Sequence, residues 1–234
     1  MIEPLATAGQ SQLPSPTNLS RSVSFSILDR QGNEISLHSS SSSSDPIEVI
    51  IPRDPSAIIL PMTLQNVTAA TDYSRFYLHG VSLPSTTTTT SNLSVALHLE
   101  IRPLDITLAY ALIYRFDRSP QVDQFNNWTL LCPTALNSEQ MYTYFIDNQQ
   151  TVGHQSVIFG LRELTVEENK QFCTTPSMFD VSMLNGTFSF TSNYELRTYT
   201  SACYYLDNDN QWQSDGLHVG PLTNRNQTQC FSFR

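Results

Sequence analysis

Two stretches of strict alternation constrain this chain more than any other feature. Val95, Leu97, Leu99 and Ile101 alternate with Ala96, His98 and Glu100, and then Ile106, Leu108, Tyr110, Leu112, Tyr114 and Phe116 alternate across eleven residues. A period of two places one set of side chains on one face of a β-strand. In the second stretch the intervening set is Thr107, Ala109, Ala111, Ile113 and Arg115. It is small and mostly apolar, so this strand calls for cover on both faces. Both strands are expected at the centres of sheets.

Shorter apolar stretches surround them. Val23, Phe25 and Ile27, the turn signal Gln31-Gly32-Asn33, and then Ile35 and Leu37 predict a hairpin. Ile47 to Ile51 and Ala57 to Met62 are flanked by prolines, which suit strand starts and edges. Phe76 with Leu78, Met141 to Ile146, Ser156 to Phe159, Thr187 to Phe190 and Tyr194 to Tyr199 continue the series. Short strands punctuated by turn residues predict an all-β fold, a two-sheet β-sandwich. Leu161 to Lys170 is the one helix candidate, with a charged loop as its alternative. Residues 1–20 read as a Ser/Thr/Pro-rich linker, and the runs Ser39 to Ser44 and Thr86 to Thr90 read as solvated loops.

Charge and cysteine usage narrow the setting. The formal net charge is −9 and Lys170 is the single lysine. Nucleic acid and anionic membrane surfaces both need a basic face, so neither is an expected partner. No apolar run approaches the length that spans a bilayer as a helix, and the first residues lack the basic start and apolar stretch of a secretory leader. Cys132, Cys173, Cys203 and Cys230 are even in number and contain no C-x-x-C pair. Six N-x-S/T sequons, at Asn18, Asn66, Asn92, Asn127, Asn185 and Asn226, are spread along the chain. Together these favour a secreted or lumenal protein, with leader and anchor expected outside this chain.

The last thirty-two residues carry a resemblance. Cys203-Tyr204-Tyr205-Leu206 opens the segment, Trp212 and Gly216 follow, and Cys230 lies four residues before the end. That order resembles the proteolysis-site (GPS) motif closing a GAIN domain, in the two-cysteine form of the polycystin and egg-jelly-receptor branch. Ile51-Pro52-Arg53 and the alternating strands resemble the same branch more loosely. The resemblance divides the chain into a linker (1–20), a sandwich body (21–202, like GAIN subdomain B) and a GPS-like motif (203–234). It implies a Cys203–Cys230 disulfide closing the C-terminal segment, which leaves Cys132 and Cys173 by elimination. Four cysteines by themselves allow three connectivities. Closing the Cys203–Cys230 loop is expected to stabilise by about 3 kcal/mol. Tyr205 and Trp212 are expected to fill a core. Gly216 is either an ordinary turn glycine or a positive-φ position.

The resemblance also implies a function. The chain would be the extracellular juxtamembrane module of a polycystin-type membrane protein. Its partner would be the parent's own C-terminal strand beyond the cleavage site, with an extracellular ligand as a further partner. That strand, when missing, should leave an unpaired edge and an apolar groove. Cleavage in such domains is an acyl shift in which His deprotonates a Thr or Ser that attacks the preceding Leu carbonyl. Family spacing places Arg234 where that His belongs, and arginine cannot serve as the base. Either the His follows Arg234 or this member does not cleave; no catalytic residue falls within the chain.

Nothing else in the sequence carries chemistry. His38, His79, His98, His154 and His218 are scattered without metal-ligand spacing. Asp207-Asn208-Asp209-Asn210 starts like a calcium loop but lacks its glycine and final glutamate. No nucleophile-elbow, P-loop or dinucleotide fingerprint appears, so no metal, cofactor or hydrolase is expected. The alternative to the GAIN-like reading is a non-cleaving, lectin-like adhesion or ligand-binding sandwich.

Overall fold

The computed structural model describes residues 30–31, 46–53, 60–69, 76–83, 94–184, 187–206 and 212–233. The linker, the Ser and Thr tracts, Asp207 to Asn210, and the predicted 23–37 hairpin apart from a turn at Arg30 and Gln31 lie outside these residues. So do residues 57–59 of the predicted 57–62 strand.

In chain order the elements are β1 (Ile47–Pro52), β2 (Thr63–Gln65), β3 (Tyr77–Ser82), β4 (Ala96–Pro103), β5 (Tyr110–Phe116), β6 (Asn127–Leu131), β7 (Tyr142–Ile146), β8 (Ser156–Glu163), α1 (Val166–Thr174), β9 (Tyr194–Ser201), β10 (Tyr205–Leu206), β11 (Trp212–Gln213), β12 (Leu217–Val219) and β13 (Gln227–Ser232). Two four-stranded antiparallel sheets, in the orders β2-β9-β4-β7 and β3-β8-β5-β6, form a sandwich. The two strongly alternating strands, β4 and β5, are each interior to their sheet. Their inward sets, Leu97, Leu99 and Ile101 against Tyr110, Leu112 and Tyr114, meet Tyr142, Phe159 and Tyr194 in the main core.

The outer face of β5 is covered as its small residues require. Ala109, Ala111 and Ile113 are buried beneath Phe172 of α1 and Phe179, Val181 and Leu184 of the loop beyond it. The Cys132–Cys173 disulfide ties the end of β6 to α1 and holds this cover in place. The helix differs from the expected 161–170 span. Leu161 to Glu163 belong to β8, where Tyr110 and Leu112 of β5 face Glu163 and Leu161. The helix starts later because Thr165 caps it: its hydroxyl accepts from the Glu168 N–H, and the Glu168 carboxylate accepts from the Thr165 N–H.

Two other expectations change. The alternation from Ile106 does not extend β5, because Leu104 and Ile106 are exposed in a turn that Asp105 stabilises by accepting from the Thr107 N–H and hydroxyl. Thr187 to Phe190 forms no strand; Phe188 and Phe190 instead plug one end of the main core.

The remaining strands gather at the C-terminus. β13 lies between β1 and β12 in a third sheet, with Val49 opposite Cys230 on one side and Val219 opposite Cys230 on the other. β10 and β11 form a two-stranded ribbon. The Cys203–Cys230 disulfide links the chain just beyond β9 to the middle of β13, so the C-terminal segment is closed by a covalent bond. Among the described residues no helix is long and apolar enough to cross a membrane.

Candidate functional site

The C-terminal sheet packs against the outer face of β4, so that Ala96, His98 and Glu100 on that face are buried too. Ala96 joins Cys203, Val219 and Cys230 in a small apolar cluster. Asn148, fully buried in the turn after β7, bridges the two parts. Its amide nitrogen donates to Ser94 Oγ (2.9 Å) and to the Leu217 carbonyl (3.0 Å), and its Oδ1 accepts from the Val219 N–H at 2.8 Å. A buried amide with these partners fixes the position of β12, because moving that strand strands polar groups away from water.

Beyond this seam, a cleft of about 420 Å³ opens between the sandwich and the loop joining β12 to β13. Two cross-strand rows form its floor. In one, His98 stands between Tyr199 and Phe145; in the next, Glu100 stands between Arg197 and Thr143. His98 stacks on Tyr199 with ring centroids 4.5 Å apart and planes 4° from parallel, and its Nε2 lies 2.7 Å from Ser201 Oγ. Burial lowers its pKa from 6.5 to about 4, so the ring is neutral.

Glu100, only 5% exposed, accepts from Arg197 Nε at 2.7 Å and also from Arg197 Nη2. The second Arg197 terminal nitrogen donates to the Leu60 carbonyl at 3.1 Å. Arg225 descends from the loop, with its Nε 3.4 Å from Glu100 Oε1 and its Nη2 on Glu139. Burial works against the Arg225 charge, but the Glu139 hydrogen bond and the two carboxylate charges outweigh it and raise its pKa. Two guanidiniums and two carboxylates thus balance on the cleft floor. Burial together with the neighbouring Glu100 charge raises the Tyr199 pKa.

The loop itself is tightly tied. The Arg53 N–H donates to the Asn226 carbonyl (2.7 Å), the Asn226 N–H to Asn224 Oδ1 (2.8 Å), and the Leu222 N–H to Gln229 Oε1 (2.9 Å). The cleft is lined by aromatic, polar and aliphatic residues, Pro221 and Leu222 among the last. β1 and β12 each have one edge unpaired with any described strand.

The motif residues fall as follows. Gly216 has φ +71° in the turn between β11 and β12, the left-handed region a side chain disfavours, and its carbonyl accepts from the Phe233 N–H at 3.1 Å. Trp212 is paired through its backbone with Leu206. Tyr205 was expected in a core; it is instead half-buried in the short ribbon, where two strands cannot enclose an aromatic ring, and its hydroxyl donates to Asp215 Oδ1 at 2.8 Å.

Asn66, Asn127 and Asn226 are exposed, while Asn18, Asn92 and Asn185 lie outside the described residues. The four described histidines stay apart, and His38 lies outside the described residues. His79 meets the Tyr194 hydroxyl at 2.7 Å, and burial lowers its pKa to about 4; His154 meets Asp117 at 2.7 Å; His218 lies by Phe233. Among the described residues no group of three His, Cys, Asp or Glu side chains is placed to hold a metal.

Sequence reasoning missed Asn148 and the Glu100–Arg197–Arg225 cluster. The available signal was a lone glutamate at the centre of an otherwise apolar interior strand, which demands a buried cation. No protein family, no curated protein and no solved structure matches the chain.

Proposed function

We propose that this chain is a GAIN-like extracellular juxtamembrane module of a polycystin-type membrane protein, in which the sandwich holds a C-terminal strand for autoproteolysis or for mechanical and regulatory coupling. The observation that carries the reading is the Cys203–Cys230 bond, which joins the start of the GPS-like segment to β13, the middle strand of the C-terminal sheet. Both backbone edges of β13 are paired, so the strand beyond the cleavage site would add at the open edge of β1 or β12. The positive φ at Gly216 fits the same motif. Disulfides persist in oxidising compartments, which agrees with an exterior or lumenal setting and with sequons that carry sugar. The self-cleaving His and Thr or Ser of such a module would lie beyond Arg234.

Deletion of residues 203–234 tests the reading. In a GAIN-like module this segment is integral, so the truncated chain should lose secretion and cooperative unfolding. A truncated chain that still secretes and unfolds cooperatively would favour the lectin-like adhesion sandwich instead. The polar, aromatic-floored cleft is the observation on that side.

A further inference from the structure

We infer that the cleft beside β4 is a pyranose site, and that its occupant is the innermost sugar of a glycan carried on Asn226. The inference rests on the extracellular reading above and adds a ligand and an attachment point to it.

Asn226 combines three features. It opens an Asn-Gln-Thr sequon completed by Thr228, its side chain is exposed, and it lines the cleft. Its carbonyl and N–H are both engaged in the loop, whereas its side-chain amide makes no hydrogen bond among the described residues. The other two described sequon asparagines differ. Asn66 Oδ1 accepts from Asn193 Nδ2 at 3.2 Å, Asn127 Oδ1 accepts from the Trp128 N–H at 2.8 Å, and neither lines this cleft. A sugar on Asn226 therefore starts from a fixed loop with its first ring at the cleft mouth.

The cleft has the chemistry for that ring. A pyranose has an apolar face of C–H groups and a rim of hydroxyls. Half-buried Tyr199 and Phe145 offer aromatic surface, and Asn224, Asn137, Glu139 and Arg225 offer donors and acceptors around it. The balanced ion pairs leave no strong net field, which suits a neutral ligand. The cleft volume of about 420 Å³ falls in the range of roughly 300–1,000 Å³ usual for small-molecule sites.

The attachment is an ordinary group transfer from a lipid pyrophosphate-linked oligosaccharide. The sugar C1–O bond breaks and the pyrophosphate leaves with the electron pair. Asn226 Nδ2 bonds to C1 and the amide loses one proton.

The test is secretion of the full chain from mammalian cells behind an added leader, followed by peptide mapping of sequon occupancy. The rate at which a peptide-N-glycosidase releases each glycan is then compared before and after denaturation. Asn226 should be occupied, and in the native protein its glycan should leave at least tenfold more slowly than those on Asn66 and Asn127. Denaturation should remove the difference, and Tyr199→Ala should shrink it.

Equal native rates would overturn the seating of the sugar. An empty Asn226 beside occupied sequons elsewhere would overturn this inference and leave the extracellular reading standing. A secreted chain with no occupied sequon would sink both. Tight binding of free N-acetylglucosamine by a glycan-free chain, with native release at Asn226 as fast as elsewhere, would assign the cleft to an external glycan instead.

Discussion

The ring of His98 lies flat against Tyr199, 4.5 Å between centroids, on the floor of the cleft beneath the loop joining β12 to β13. The contact explains why a histidine on an interior strand stays neutral: burial leaves no room for the hydration that a charge requires. His79, on β3, is held neutral by burial in the same way.

Stability should therefore fall with acid over a defined window. An unfolded histidine takes up a proton near pH 6.5, whereas folded His98 and His79 do so only near pH 4. Between these values the unfolded chain binds more protons, so lowering the pH favours unfolding. The loss is complete below about pH 4 and amounts to at most about 3 kcal/mol per histidine, less for the more exposed His79. Urea midpoints at pH 7 and pH 4.5 measure it. His98→Gln should flatten the slope by about half, and an unchanged slope would remove His98 from the account.

Glu100 has two cationic partners of unequal weight. Arg197→Ala leaves a buried carboxylate poorly compensated and should cost about 3–5 kcal/mol. Arg225→Ala removes the more exposed guanidinium and should cost about 1 kcal/mol. Chemical denaturation of both variants decides the order, and a double-mutant cycle with Glu100→Ala should show strong coupling to Arg197. Equal costs would mean that Arg225 supports Glu100 as strongly as the buried Arg197 does.

The two disulfides close spans of 41 and 27 residues. Chain entropy gives each a worth of about 3–4 kcal/mol, but the structural consequences should differ. Replacing Cys203 and Cys230 by serine should raise amide exchange at Gly220 and Gln229 while β5 keeps its protection. Replacing Cys132 and Cys173 should loosen α1 first. Hydrogen exchange by mass spectrometry reads both, and loss of β5 protection in the first variant would contradict the separation of the C-terminal sheet from the main core.

Gly160 of β8 lies between Phe76 and Ile113, its partner on β5. A Cβ there would come within 2.9 Å of Phe76 Cβ and 3.1 Å of Ile113 Cγ1. Gly160→Ala should destabilise by about 1–3 kcal/mol through overpacking. Thermal unfolding checks it, and a neutral outcome would mean that Phe76 yields freely.

The sandwich was legible because β4 and β5 carry their faces in a period of two, and the double-sided burial of β5 followed from the size of Ala109 and Ala111. The later helix start was legible in principle, since Thr165 and Glu168 have capping-box spacing. The alternation at Ile106 misled because local Asp105 turn chemistry overrides a weak strand preference.

The cleft could not be read from pattern. His98 and Glu100 occupy positions that alternation assigns to solvent. What buries them is a segment more than a hundred residues later, and periodicity carries no information about such contacts. The Asn148 bridge is hidden for the same reason: an asparagine after a strand reads as a turn, whatever its amide touches.

The placement of the Cys203–Cys230 bond sets how the terminal strand yields to a pull. Ile47 and Leu217 both face Ser232, so traction at Phe233 works on the end of β13 where its pairings with both neighbours begin. It peels them one register at a time. Two steps in, at Cys230, peeling stops, because the load crosses the sulfur bridge to Cys203 and onto the end of β9, an eight-residue strand interior to the opposite sheet. The crosslink thus acts as a hard stop, giving the tail a short compliant travel before the whole sandwich must bear the strain.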